Sequence, residues 1–173
     1  MNRSKSQDAI IKMLGILPDK TYLNIHQISA CLYFLQANKE IDDSLTFLKT
    51  ANGIVCSQVG DLIISLEKND FIKNPATLFN RENIWELDLK GAKAYHSIKD
   101  FDKSLLSYLP DIIDTNATTI ERTIQNFLYL KIGMTTSEYN KIPRNSELVC
   151  PKEFIFPKNT GFSSNPVIDE FDF

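Results

Sequence analysis

The residues from Ser57 to Ala94 carry five local signals in a fixed order. Val59, Leu62, Ile63 and Leu66 recur at helical spacing, and Phe71 continues that inner face. Ser57 stands where a helix cap is expected, and Gly60 in the first turn weakens the helix. Asn69-Asp70 ends it, and Phe71-Ile72-Lys73 begins a short strand. Residues 74–83, NPATLFNREN, form a polar loop. Ile84-Trp85-Glu86-Leu87-Asp88-Leu89 then alternates apolar and acidic residues with period two, the pattern of a strand with one buried face. Lys90-Gly91 opens another helix, expected over residues 91–98.

Helix, strand, loop, strand is the order of a winged-helix unit, and many such units place that helix in a DNA groove. The charges argue otherwise. From Ser57 to Asp70 they are Asp61, Glu67, Lys68 and Asp70, a sum of −2. Groove binding draws its affinity from Lys and Arg against phosphates. The outer side of this helix, with Gln58, Asp61 and Ser65 beside Asn69, is therefore read as a protein-binding face. Nucleic-acid contact, if made, falls to Lys73 and Arg81 of the wing and to Lys90 and Lys93 beyond it. The plain alternative for that basic run is a solvated helix face. Trp85 lies on the opposite strand face from Ile84; it is either an exposed contact or folded back onto the helix.

The flanking segments read mainly as helix. Ile10, Ile11, Leu14 and Leu17 share one side of a helix over 7–16, ended at Pro18-Asp19. Asn24 is an N-cap for a deeply buried helix from Ile25 to about Asn38. Leu45–Leu48 suggests a short strand, and Asn52-Gly53 a sharp turn. Phe101–Leu109 is helical and stopped by Pro110. A strong helix runs from about Thr118 to Ile132, burying Ile120, Ile124, Phe127, Leu128 and Leu130, with Gly133 at its C-terminal cap. Thr135 starts a short helical turn, 137–141. After Pro143 the pattern becomes an extended arm with a brief strand at Glu153–Phe156. Its Phe154, Phe156, Phe162, Phe171 and Phe173 suit packing against a surface, either its own domain's or a partner's.

Nothing in the composition points to catalysis. Hydrophobic residues make up 43% and charged residues 24%, ordinary for a globular chain. The net charge of −3 gives no general attraction to nucleic acid or anionic lipid. Cys31, Cys56 and Cys150 are far apart, without a CxxC pair. His26 and His96 lack neighbours at ligand spacing; a capping or solvated role fits the first and a helix-dipole role the second. No nucleophile motif or phosphate-binding loop appears, and the paired acids Asp42-Asp43 and Asp169-Glu170 read as solvated. No cofactor or metal is expected, and no enzyme activity. The basic, then apolar N-terminus is broken by Asp8 and Lys12 and reads as an amphipathic helix instead of a signal peptide, so a cytoplasmic location is expected, with no membrane span.

The segments FLKTANGIVCSQVGDLIISLEKNDFI (47–72) and IWELDLKGAKAY (84–95) resemble a widespread bacterial winged-helix pattern. Its features here are Leu66 to Ile72, with Asn69-Asp70 where a glycine is usual, and Leu87-Asp88-Leu89-Lys90-Gly91. Families sharing it include transcription regulators, Panacea-type antitoxins, and the small middle components of three-component ABC-ATPase phage-defence systems such as the Lamassu type. The last resemblance implies a non-catalytic subunit docked on a larger SMC-like ATPase; the others imply a toxin-neutralising antitoxin or a DNA-binding regulator. The expectation is thus a mainly α protein with a small β-wing. It comprises a winged-helix domain over 1–100, a helical extension over 101–142 and an extended arm over 143–173.

Overall fold

A computed structural model describes residues 3–17, 22–41, 44–75, 84–113 and 117–151. The described chain is mainly helical, with two small antiparallel sheets. Helix α1 (Lys5–Ile16) starts two residues before the expected 7–16 because Ser4 and Gln7 close a capping box. Leu17 is its C-cap, half-buried and packed against the same core as Ile10, Ile11 and Leu14. Strand β1 (Leu23–Asn24) leads into α2 (Ile25–Ala37), whose own capping box pairs Asn24 with Gln27, as the Asn24 signal implied. Helix α2 is buried almost all round from Gln27 to Ala37, which is why its apolar stripe is so broad in sequence.

A hairpin follows. Strand β2 (Phe47–Thr50) lies two residues later than the expected strand at 45–48, and β3 (Gly53–Cys56) was not anticipated. They pair antiparallel, with Thr50 opposite Gly53 across a two-residue turn. Gly53 has φ +107°, a conformation that favours glycine, so the Asn52-Gly53 signal marked a real turn. Both outer edges of the hairpin are covered. On the β3 side, Cys56 N donates to Ser29 Oγ at 2.9 Å, and His26 Nδ1 lies 3.3 Å from Ile54 O, both side chains coming from α2. On the β2 side the chain returns nearly a hundred residues later. Lys49 N donates to Ser146 O and Leu148 N to Phe47 O, with Leu48 bridging Glu147. Residues 145–148 of the expected arm thus lie on the chain's own hairpin. Tyr33 Oη fixes them further by donating to Val149 O. The rest of the arm, with its expected strand at 153–156, lies outside the described residues.

Helix α3 (Val59–Lys68) begins with Gln58 at the cap position, and no side chain caps it, so Ser57 is not the cap. Strands β4 (Ile72–Lys73) and β5 (Ile84–Leu87) pair antiparallel, and β5 also pairs with β1, giving the order β1-β5-β4. β5 stops short of Leu89 because Asp88 turns to cap α4 (Leu89–Ser97). There Asp88 N donates to Phe71 O at 3.0 Å. Gly91 makes this approach possible: a Cβ on it would lie 1.9 Å from Phe71 O.

Helix α5 (Asp102–Tyr108) is followed at once by α6 (Pro110–Ile113). Pro110 therefore opens a helix where the sequence suggested only a stop; the first helical position needs no N–H donor. Gln27 Nε2 donates to both Ile112 O and Ile113 O, tying α6 to α2. Helix α7 (Ala117–Ile132) buries Ile120, Ile124 and Leu128, but Leu130 is exposed, contrary to expectation. Leu130 sits two residues past Leu128, which turns it away from the core-facing stripe. Gly133, at φ +70°, ends the helix, and α8 (Thr136–Lys141) opens on a Thr135–Glu138 capping box. One buried cluster runs from Ala9 to Leu148, so α5–α8 share the core of the first hundred residues. No helix among the described residues is long and apolar enough to cross a membrane.

Candidate functional site

The outward side of α3 carries Gly60, Asp61, Ile64 and Lys68, all exposed. Ile64 is 48% exposed at its middle. This is not the set expected from sequence. Gln58 is half-buried and spent within the chain: its Oε1 accepts from Thr46 N at 3.0 Å and Ser57 Oγ at 2.8 Å. Its amide thereby holds the start of α3 to the hairpin. Ser65 is half-buried and accepts from Gln7 Nε2 at 2.9 Å, which pins α3 to α1. Of the three expected contact residues on α3, Asp61 alone is exposed. Phe154, Phe156, Phe162, Phe171 and Phe173 lie outside the described residues, as does Arg81.

The remaining basic candidates have separate occupations. Lys73 lies 3.5 Å from Glu86 across the β4–β5 pair. Lys90 Nζ donates to Asn69 O at 2.9 Å and sits 4.6 Å from the Phe71 ring centroid, so it caps the end of α3. Lys93 is exposed. Trp85 is buried and donates from Nε1 to Glu67 Oε1 at 3.1 Å. Of its two possible placements, folding back onto α3 is the one observed.

The two buried cysteines are held away from nucleophilic character. Burial pushes the Cys31 thiol up to about 12 and raises that of Cys56, away from the reactive thiolate. Among the described residues no cluster of His, Cys, Asp or Glu could hold a metal. Asp42-Asp43 and Asp169-Glu170 lie outside them.

A feature missed in the sequence lies where β2, α7 and α8 meet. A cleft of about 430 Å³ is lined there by Lys49, Glu121, Lys141 and Arg144 among others. Lys49 is buried, and its Nζ donates to Tyr139 O at 2.8 Å and Ile142 O at 2.9 Å, beneath the Tyr139 ring at 4.4 Å. A single lysine in a strand gives no sequence signal of this; only its partners, 90 or more residues away, define it.

No known family model matches the chain, and no curated protein matches it significantly.

Proposed function

We propose that residues 5–97 form a winged helix that works as a protein-docking module instead of a DNA reader. Helix α1, strand β1, helices α2 and α3, and the β4–β5 pair follow one another in that order, with β5 between β1 and β4. One departure matters for function. The two helices of a DNA-reading helix-turn-helix are joined by a turn of roughly 3–4 residues. Here residues 38–58, including the β2–β3 hairpin, separate α2 from α3.

The observation that carries the reading is the outward face of α3. It offers one carboxylate, one ammonium and a half-exposed isoleucine, where a groove-binding helix needs a basic stripe. An exposed aliphatic side chain between opposite charges suits a protein contact with an apolar centre and a polar rim. The arm beyond Pro151, with Phe171 and Phe173, would add aromatic anchors. The partner proposed first is a larger subunit of the SMC-like ATPase kind, which the sequence resemblance suggests; a small toxin is the second.

The test is a nuclease-treated pull-down with the full chain from its native host, alongside Ile64→Asp and Phe171→Ala/Phe173→Ala variants. A stoichiometric ATPase or toxin, lost on Ile64→Asp without a change in Tm, supports the reading. Recovery of the chain alone, with tight and salt-sensitive duplex DNA binding abolished by Lys90→Glu/Lys93→Glu, would replace it with a regulator.

A further inference from the structure

We infer that the cleft between β2, α7 and α8 binds a phosphate-class oxyanion, free or carried by a nucleotide. The argument is independent of the docking reading. It starts from a comparison within the chain, because two lysines are buried in the same way. Lys12 Nζ donates to Ile98 O, at the end of α4, beneath the Tyr95 ring at 4.4 Å. Lys49 Nζ donates to Tyr139 O and Ile142 O, at the end of α8, beneath the Tyr139 ring at the same distance. Lys12 also has a counter-ion, Asp102, at 3.0 Å. Lys49 forms no ion pair with a carboxylate among the described residues.

An ammonium taken out of water without an opposite charge is costly, and carbonyl dipoles offset only part of that cost. Two bonds leave one of its three N–H donors available. The same residue lines the cleft, as do Lys141 and Arg144, both exposed and both without an ion pair among the described residues. The opposite charge in the lining is Glu121, so the named cleft side chains sum to +2. An oxyanion supplies what the Asp102 carboxylate supplies at the other lysine. A guanidinium and two ammonium groups match a multiply charged tetrahedral anion better than a halide.

The volume of about 430 Å³ lies inside the roughly 300–1,000 Å³ range of small-molecule sites, enough for a nucleotide as well as for phosphate alone. Burial and the Glu121 carboxylate raise the Tyr139 phenol, which places it beside the acidic wall of the cleft.

The experiment is calorimetric titration of the full chain with inorganic phosphate and with adenosine monophosphate, at ionic strength matched by chloride. Binding is expected for at least one of them. The surface double variant Lys141→Ala/Arg144→Ala, which disturbs no buried group, is expected to weaken it by about tenfold or more, since charge-assisted bonds are lost. Glu121→Gln is expected to tighten it. Phosphate and the nucleotide binding equally would identify the anion itself as the ligand; a tighter nucleotide would show that the base and ribose are also held. No heat with either probe, or an affinity unchanged in the double variant, overturns the proposal.

Discussion

The two buried-lysine corners teach how one device serves two purposes. At the Lys12 corner the ammonium closes a helix end, lies under a tyrosine and meets a carboxylate, and the arrangement is electrically complete. At the Lys49 corner the same device closes α8 and also brings residues 139–142 onto β2, but the charge is left open beside a cleft. The first corner is built to hold helices together. The second holds helices together and keeps electrostatic capacity in reserve. Neighbouring contacts show the same division. The corner around α4 rests on close backbone approach, Gly91 against Phe71 and Gly15 against the Tyr95 ring. The corner around the hairpin rests on polar side chains reaching the backbone: Ser29, Tyr33, Gln36 and Lys49.

The largest test breaks the first corner. Gly91→Ala forces a Cβ onto Phe71 O, so α4 must lift away, carrying Tyr95 and Ile98 off Lys12. A loss of about 3 kcal/mol or more is expected in urea unfolding, the size typical of steric conflict with buried backbone. Amide exchange should rise more in α4 than in α8. An equal rise in both would mean that the corners unfold as one unit, and the contrast would fail.

A smaller effect sharpens it. Lys49→Met leaves Ile142 O unpaired, while Tyr139 O keeps the Ile142 N–H at 3.1 Å; Lys12→Met leaves Ile98 O unpaired, with Asp102 still half in solvent. An unpaired buried acceptor costs about 1–3 kcal/mol, so the two variants should be destabilised by similar amounts in chloride. Adding phosphate should widen the Lys49→Met deficit, because the intact protein gains from binding. It should leave the Lys12→Met deficit unchanged. Thermal unfolding of both variants in matched chloride and phosphate buffers measures this directly.

The legible part of this molecule was the part with local causes. Asn24, Gly133, the helix start at Thr135–Glu138, and Asn52-Gly53 each act within four residues, and each is found where the sequence placed it. Pairing across distance was not legible. The segment at 145–148 owes its place to β2, nearly a hundred residues away in the chain. The candidate site suffered in the same way. Gln58 and Ser65 look solvent-facing on a helical wheel, yet their partners come from the hairpin and from α1. Ile64 lies on the face that those contacts leave open. Lys49 reads as an ordinary strand lysine until residues 139–142 are folded over it.

The smallest effect separates the two ends of α8. Its start is held by Glu138, whose carboxyl lies below the usual carboxylate range because the Thr135 backbone N–H and hydroxyl donate to it. Its end is held by Lys49, which donates to Tyr139 O and Ile142 O. A depressed folded pKa contributes stability that is complete above the unfolded value, about 4.3 for Glu, and is lost as pH falls through the folded value. Acid should therefore fray α8 from Thr136 inward while residues 139–142 stay on β2. Amide exchange near Glu138 should rise as pH falls through the acid range, after correction for intrinsic rates, and Glu138→Gln should flatten that dependence while keeping a cap. Two internal controls exist, since the boxes of α1 and α2 use Ser4 with Gln7 and Asn24 with Gln27, none of which titrates. If those helix starts open over the same pH interval, the change is global acid unfolding and the distinction between the two ends of α8 is lost. If only α8 responds, the Lys49 corner is shown to hold its end of the helix without help from the box at the other.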